Sequence, residues 1–122
     1  MLRGQEPRCP AAQPARPGTA QQVDYVDALV WKGQEYLAVP STVPTERGEE
    51  VTTIACSIEQ ISKGGKLLVP TPWPDRTATR LPVGTVVHAV PGEPPSCLLT
   101  AEGRVFRAYA GPGVEAPGCA GR

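Results

Sequence analysis

Between residues 81 and 109, apolar side chains recur at every second position and are cut by glycine and proline corners. That period belongs to a strand with one face in a core; a helix repeats its apolar positions every three or four residues. The stretch reads as a strand ending at Val90, a corner over residues 91–95 and a second strand at 96–101. A tight turn at Glu102-Gly103 and a return strand at 104–109 complete it. Pro82 and Gly84 permit a bend or bulge where the first strand begins. A hairpin of this kind cannot stand alone in water, so the remaining chain must supply further strands.

It does so upstream. Residues 23–39 form a first hairpin, with Val26, Ala28 and Val30 on one face and Tyr25, Leu29 and Trp31 on the other. Lys32-Gly33 is its turn, because glycine accepts positive φ without a steric penalty. Pro40 and Pro44 end it, since proline cannot donate to a ladder. Residues 51–58 make a third strand, with Ile54, Cys56 and Ile58 on one face and a β-branched run that disfavours helix. A short edge strand is expected at 66–69. Pro70, Pro72 and Pro74 then exclude both helix and central strand, leaving a surface loop that runs into the polar residues 75–80.

A chain of 122 residues allows one domain. Residues 1–22 hold little bulky apolar surface and read as a disordered tail or linker, because burial there cannot offset the ordering entropy. Residues 23–110 form the β domain, and the Gly/Ala/Pro-rich residues 111–122 read as a second disordered tail. The expected fold is all-β: a small, antiparallel, partly open β-barrel or roll of five to seven short strands with disordered termini. A core of that size leaves a narrow stability margin, so a disulfide or a partner would matter.

Charge narrows the function. Formal net charge is zero, and residues 23–109 carry eight Lys and Arg against ten Asp and Glu. Nucleic-acid binding needs a cationic excess to displace phosphate counterions, so this composition argues against an OB-like single-strand binder. No apolar run is long enough for a transmembrane helix. Residues 1–9 lack the apolar segment of a signal peptide. The protein is therefore exported if an upstream signal was trimmed, and cytoplasmic otherwise.

No catalytic motif emerges. His88, the single histidine, could be imagined with Ser41, Ser57, Ser62 or Ser96 as a hydrolase centre, but it lies inside a strand pattern without a nucleophile elbow. A lone histidine among scattered carboxylates is no metal signature either, and no cofactor is implied. Ser62-Lys63-Gly64-Gly65-Lys66 lacks the glycine spacing and the strand-to-helix context of a phosphate loop. The cysteines at 9, 56, 97 and 119 are too dispersed for close-pair zinc spacing. Cys56 and Cys97 both fall in strand patterns. They read either as a bridge closing about 40 residues, worth roughly 3–4 kcal/mol in the chain-entropy picture, or as two buried thiols. The recognition candidates are Trp73 with Arg76 and Arg80, and Trp31 at the first hairpin: an aromatic ring on a stiff loop can stack on a ligand, or else fold back to cap the barrel.

Leu81-Pro-Val-Gly-Thr85, Ala89-Val-Pro-Gly92, Pro95-Ser96 and the hairpin from Gly103-Arg104 to Tyr109 resemble the C-terminal half of a family of small exported bacterial β-domain proteins, many of them lipoproteins. Val30-Trp31-Lys32-Gly33-Gln34-Glu35-Tyr36 is similar to that family's opening hairpin. The chain departs from the pattern at Cys97, where an aromatic or basic residue is usual, and in lacking the lipidation signal. The resemblance implies the β fold and a cell-envelope setting, and it carries no catalytic residue. The function expected is a non-catalytic binding module for an unidentified protein or envelope ligand.

Overall fold

The computed structural model describes residues 9–11, 13–14, 26–40, 46–63, 67–69, 73–111, 114–116 and 118–119. In chain order the strands are β1 (Gln13–Pro14), β2 (Ala28–Trp31), β3 (Gln34–Val39), β4 (Glu50–Thr53) and β5 (Cys56–Ser57). A single helical turn, α1 (Ile58–Ile61), follows. Then come β6 (Leu67–Leu68), β7 (Thr77–Ala78), β8 (Val86–Ala89), β9 (Leu98–Ala101), β10 (Arg104–Gly111) and β11 (Val114–Glu115). The fold is all-β, as the alternating pattern requires. One curled, half-barrel sheet runs β4-β8-β9-β10-β3-β2-β7-β5, with β11 added on β10. Its strands of four or more residues are β2, β3, β4, β8, β9 and β10, and the others are two-residue pieces. Every pairing is antiparallel except β5 with β7.

Two tight turns set the register. Lys32-Gly33 joins β2 to β3 and Glu102-Gly103 joins β9 to β10, each pair holding positive φ at both residues. Two consecutive left-handed residues give the turn whose twist matches that of the strands it connects. The inward residues then follow from the pairing. Leu29 lies opposite Tyr36, and Phe106 opposite Leu99. All four are essentially inaccessible and join Ile54, Ala78, Leu81, Val87, Ala101 and Ala108 in one core. Burying a Leu or Phe side chain contributes about 1.5–3 kcal/mol each, so the Phe106–Leu99 pair is a large share of a small domain's stability.

The third strand breaks where a continuous run was expected. β4 pairs with β8, and β5 pairs with β7 at the opposite rim of the sheet. Ile54 and Ala55 carry the chain across. Ile54 N donates to Thr85 O, and Gly84 N donates back to Ile54 O. Ala55 N and Cys56 N both donate to Arg76 O, at 2.8 and 3.2 Å. One kinked segment therefore serves both rims. The helical turn after it buries Ile58 and is tied to the sheet by Glu59 N donating to Thr79 O. A β-branched run opposes a long helix, but one turn suffices to seat a single isoleucine.

Three further expectations change. Residues 75–80 are not simply a polar loop. Thr77 and Ala78 form β7, and Thr77, Ala78 and Thr79 are all buried. The short strand near 66–69 exists as β6, but it pairs with β1 in a separate ribbon (Gln13 with Leu68, Pro14 with Leu67). Both chain ends, read as disordered tails, carry residues that join the fold: β1 near the N-terminus, and β11, Ala116 and Cys119 near the C-terminus. Apart from residues 9–11, 13–14, 111, 114–116 and 118–119, the two tails lie outside the described residues, as do Tyr25, Ser41 and Pro70.

The cysteine pairing is corrected outright. Cys56 does not bridge Cys97, and neither is a free thiol. Cys9 bonds Cys56, and Cys97 bonds Cys119. Cys9 reaches Cys56 of β5 and Cys119 reaches Cys97, the residue before β9, so both terminal cysteines are stapled to the barrel. The sequence separations of 47 and 22 residues correspond to about 4 and 3.4 kcal/mol of reduced unfolded-state entropy.

Candidate functional site

Trp31 and Arg76 meet at one end of the barrel, where residues 75 and 76 dock on the β2–β3 turn, and Trp73 lies two residues before them. The docking is polar and specific. Lys32 N donates to Asp75 Oδ1 at 2.6 Å, and the same oxygen accepts Arg76 N at 3.1 Å. Arg76 N also donates to Val30 O at 2.8 Å. Arg76 holds φ of 65°, a left-handed conformation that few non-glycine residues adopt. These bonds hold it there. Residues 75 and 76 are therefore clamped to the hairpin at two points, Val30 of β2 and Lys32 of the turn.

The four sequence-predicted residues separate into different roles. Arg76 turns its side chain inward: Nε donates to Thr53 O at 2.9 Å and Nη2 to Thr53 Oγ1 at 2.8 Å. With its carbonyl accepting Ala55 N and Cys56 N, it clasps the rim. Arg80 is exposed but lies beyond Thr79. Thr79, the residue before it, bonds the start of β2. Trp73 is half-buried and its Nε1 donates to Val69 O at 3.2 Å. Trp31 is half-buried against the core, 6.5 Å from the Tyr36 ring, with Lys32 Nζ 4.7 Å from its centroid. A cation at that distance over an indole is attracted to the ring's negative face.

Tyr36 completes the inner wall. Its hydroxyl donates to Pro95 O at 3.0 Å. Burial, and secondarily the Asp75 carboxylate, push its pKa up to about 12. Lys32 and Asp75, the ion-bearing rim of this end, were read only as turn and loop residues. The signal was present: an Asp ahead of a positive-φ residue is a turn-forming side chain that caps neighbouring amides.

His88 stands elsewhere, on β8 between Glu50 of β4 and Thr100 of β9. The Thr100 hydroxyl donates to Arg104 O, and His88 Nδ1 is buried without a hydrogen-bond partner among the described residues. None of Ser57, Ser62 and Ser96 is a register neighbour of His88. On the next strand Arg104 and Asp27 form an ion pair with side chains 37% and 15% exposed, linking the start of β10 to the approach of β2. No cluster of three or more His, Cys, Asp or Glu suited to a metal ion occurs among the described residues. No helix among them is long and apolar enough to cross a membrane. Two disulfides are the bonding pattern of an oxidising compartment.

Comparison of the chain with protein-family models, curated proteins and solved structures finds no match.

Proposed function

We propose that this domain is a non-catalytic binding module of an exported protein at the cell envelope. It engages a protein or other envelope ligand through the end of the barrel that carries Trp31, Lys32, Trp73 and Asp75. The observation that carries this reading is the clamp between Asp75 and the Lys32–Gly33 turn, which sets the Trp31 indole, a cation and a carboxylate together, with Trp73 two residues before Asp75 in the chain. Rigid aromatic groups flanked by charge lose little conformational entropy on binding, which favours recognition. The disulfides support an exported setting, and so does the resemblance of residues 25–109 to small exported β domains. Arg76 supports the site from within.

A photo-crosslinking residue placed at Trp73 in the full chain, expressed in its own cells, tests the reading. Capture of a defined partner from Trp73 but not from Glu102, on a turn of the barrel away from this clamp, is the expected result. Equal capture from both positions, or none from Trp73, would refute it.

A further inference from the structure

The two disulfides occupy different surroundings. Cys97 and Cys119 are each 3% exposed and belong to the main core cluster. Cys56 is fully buried, but its partner Cys9 is exposed and lies outside that cluster. Cys9 Sγ sits 3.5 Å from the Ala55 carbonyl, at the kink between β4 and β5. A reductant must reach a disulfide sulfur in line, so access selects which bridge exchanges and which sulfur is attacked.

We propose that Cys9–Cys56 is a site of thiol–disulfide exchange with a dithiol reductant, and that exchange releases the N-terminal segment from the β5 rim while the Cys97–Cys119 bridge persists. A donor thiolate attacks Cys9 Sγ. The Cys9–Cys56 bond breaks, a mixed disulfide forms on Cys9, and Cys56 leaves as a thiolate that takes a proton. The donor's second thiol then attacks its own sulfur in the mixed disulfide. Cys9 is freed and protonated, and the donor is left as a disulfide. Two electrons and two protons pass from the dithiol to the bridge.

The site is suited to hold the reduced product. Thr77, the register partner of Cys56 across β5 and β7, is fully buried and its hydroxyl has no hydrogen-bond partner among the described residues. A bridged sulfur has no hydrogen to donate and is a weak acceptor, whereas a thiol offers that hydroxyl a donor. Release would also loosen what the segment holds. β1 pairs with β6, and Val69, the next residue, accepts the Trp73 indole. The exchange site thus connects through one ribbon to the loop that bears Trp73. This inference stands on the two bridges alone and does not depend on the binding reading.

The test uses the oxidised full chain, dithiothreitol as the dithiol, and maleimide trapping with peptide mass mapping. Cys9 and Cys56 should become labelled at least about tenfold faster than Cys97 and Cys119 while the far-ultraviolet strand signal persists. Amide exchange at Leu67 and Leu68 should rise in that partly reduced form while Phe106 stays protected. Labelling of Cys97 and Cys119 first, or of all four together at the unfolding rate, would overturn the exchange site. Unchanged exchange at Leu67 and Leu68 would overturn the release.

Discussion

Thr77 and Thr79 sit two residues apart, are buried to 0% and 2% exposure, and should respond oppositely to the same substitution. The Thr79 hydroxyl accepts Ala28 N at 2.8 Å and donates to Val26 O at 2.5 Å, joining β7 to the start of β2. Thr79→Val keeps the branch and the volume but strands the buried Ala28 amide. A buried donor without a partner costs about 1–3 kcal/mol, whereas water can serve the carbonyl of the exposed Val26. We take about 2 kcal/mol as the expected loss. Unfolding entropy of about 2.1 cal/mol/K per residue gives about 0.26 kcal/mol/K for the chain, so Tm should fall by about 8 °C. The Thr77 hydroxyl has no partner among the described residues. Thr77→Val removes a desolvated group that gains nothing, and stability should be unchanged or rise by up to about 1 kcal/mol. Thr79→Ser, which keeps the hydroxyl, should recover most of the loss. Urea unfolding with both bridges intact measures all three, with the slope checked for constancy. A Thr79→Val variant within about 0.5 kcal/mol of wild type, or equal losses at both positions, would refute the hydrogen-bond account.

Other outcomes follow from the same geometry. Gly48→Ala places a Cβ 2.8 Å from the Ala89 carbonyl oxygen, so it should destabilise by about 1–3 kcal/mol, read as a lower urea midpoint. Removing the buried bridge with the pair Cys97→Ala and Cys119→Ala should cost about 3 kcal/mol in calorimetry. Tyr36 favours its neutral form in the folded state, so its contribution is complete below pH 10 and is lost as pH rises towards 12. Absorbance titration should show a phase near pH 12 that Tyr36→Phe abolishes. Arg76→Lys keeps the charge but loses the two-point grip on Thr53. It should lower stability by about 1–2 kcal/mol, and salt should not restore it.

The alternation of apolar residues gave away the strands because each carries a dry side: Leu29 pairs with Tyr36 and Leu99 with Phe106, and all four are buried. Both hairpin turns were legible for the same local reason, a glycine after a residue able to take positive φ. β7 was not legible, since Thr77 and Thr79 look polar until their backbone and hydroxyl partners on distant strands are known. The disulfides were hidden because spacing says nothing about which ends meet. Cys9 and Cys119 lie in segments whose composition resembles linker, and only the fold brings them beside Cys56 of β5 and Cys97 at the entry to β9. At the candidate site, Trp31 and Trp73 stood out by type, but the inward turn of Arg76 depends on Thr53, a contact 23 residues away.

The shared rim at Ile54–Ala55 carries a mechanical meaning. Among the described residues, the kink is tied to the β7 rim by the Arg76 carbonyl, which receives two amides, and by its guanidinium gripping Thr53, and to the β8 side by the Ile54 bonds to Thr85 and Gly84. Elsewhere load is shared along ladders of several bonds, but at this clasp it falls on a few atoms. Tension applied across the wall should therefore part it there before any hairpin unzips.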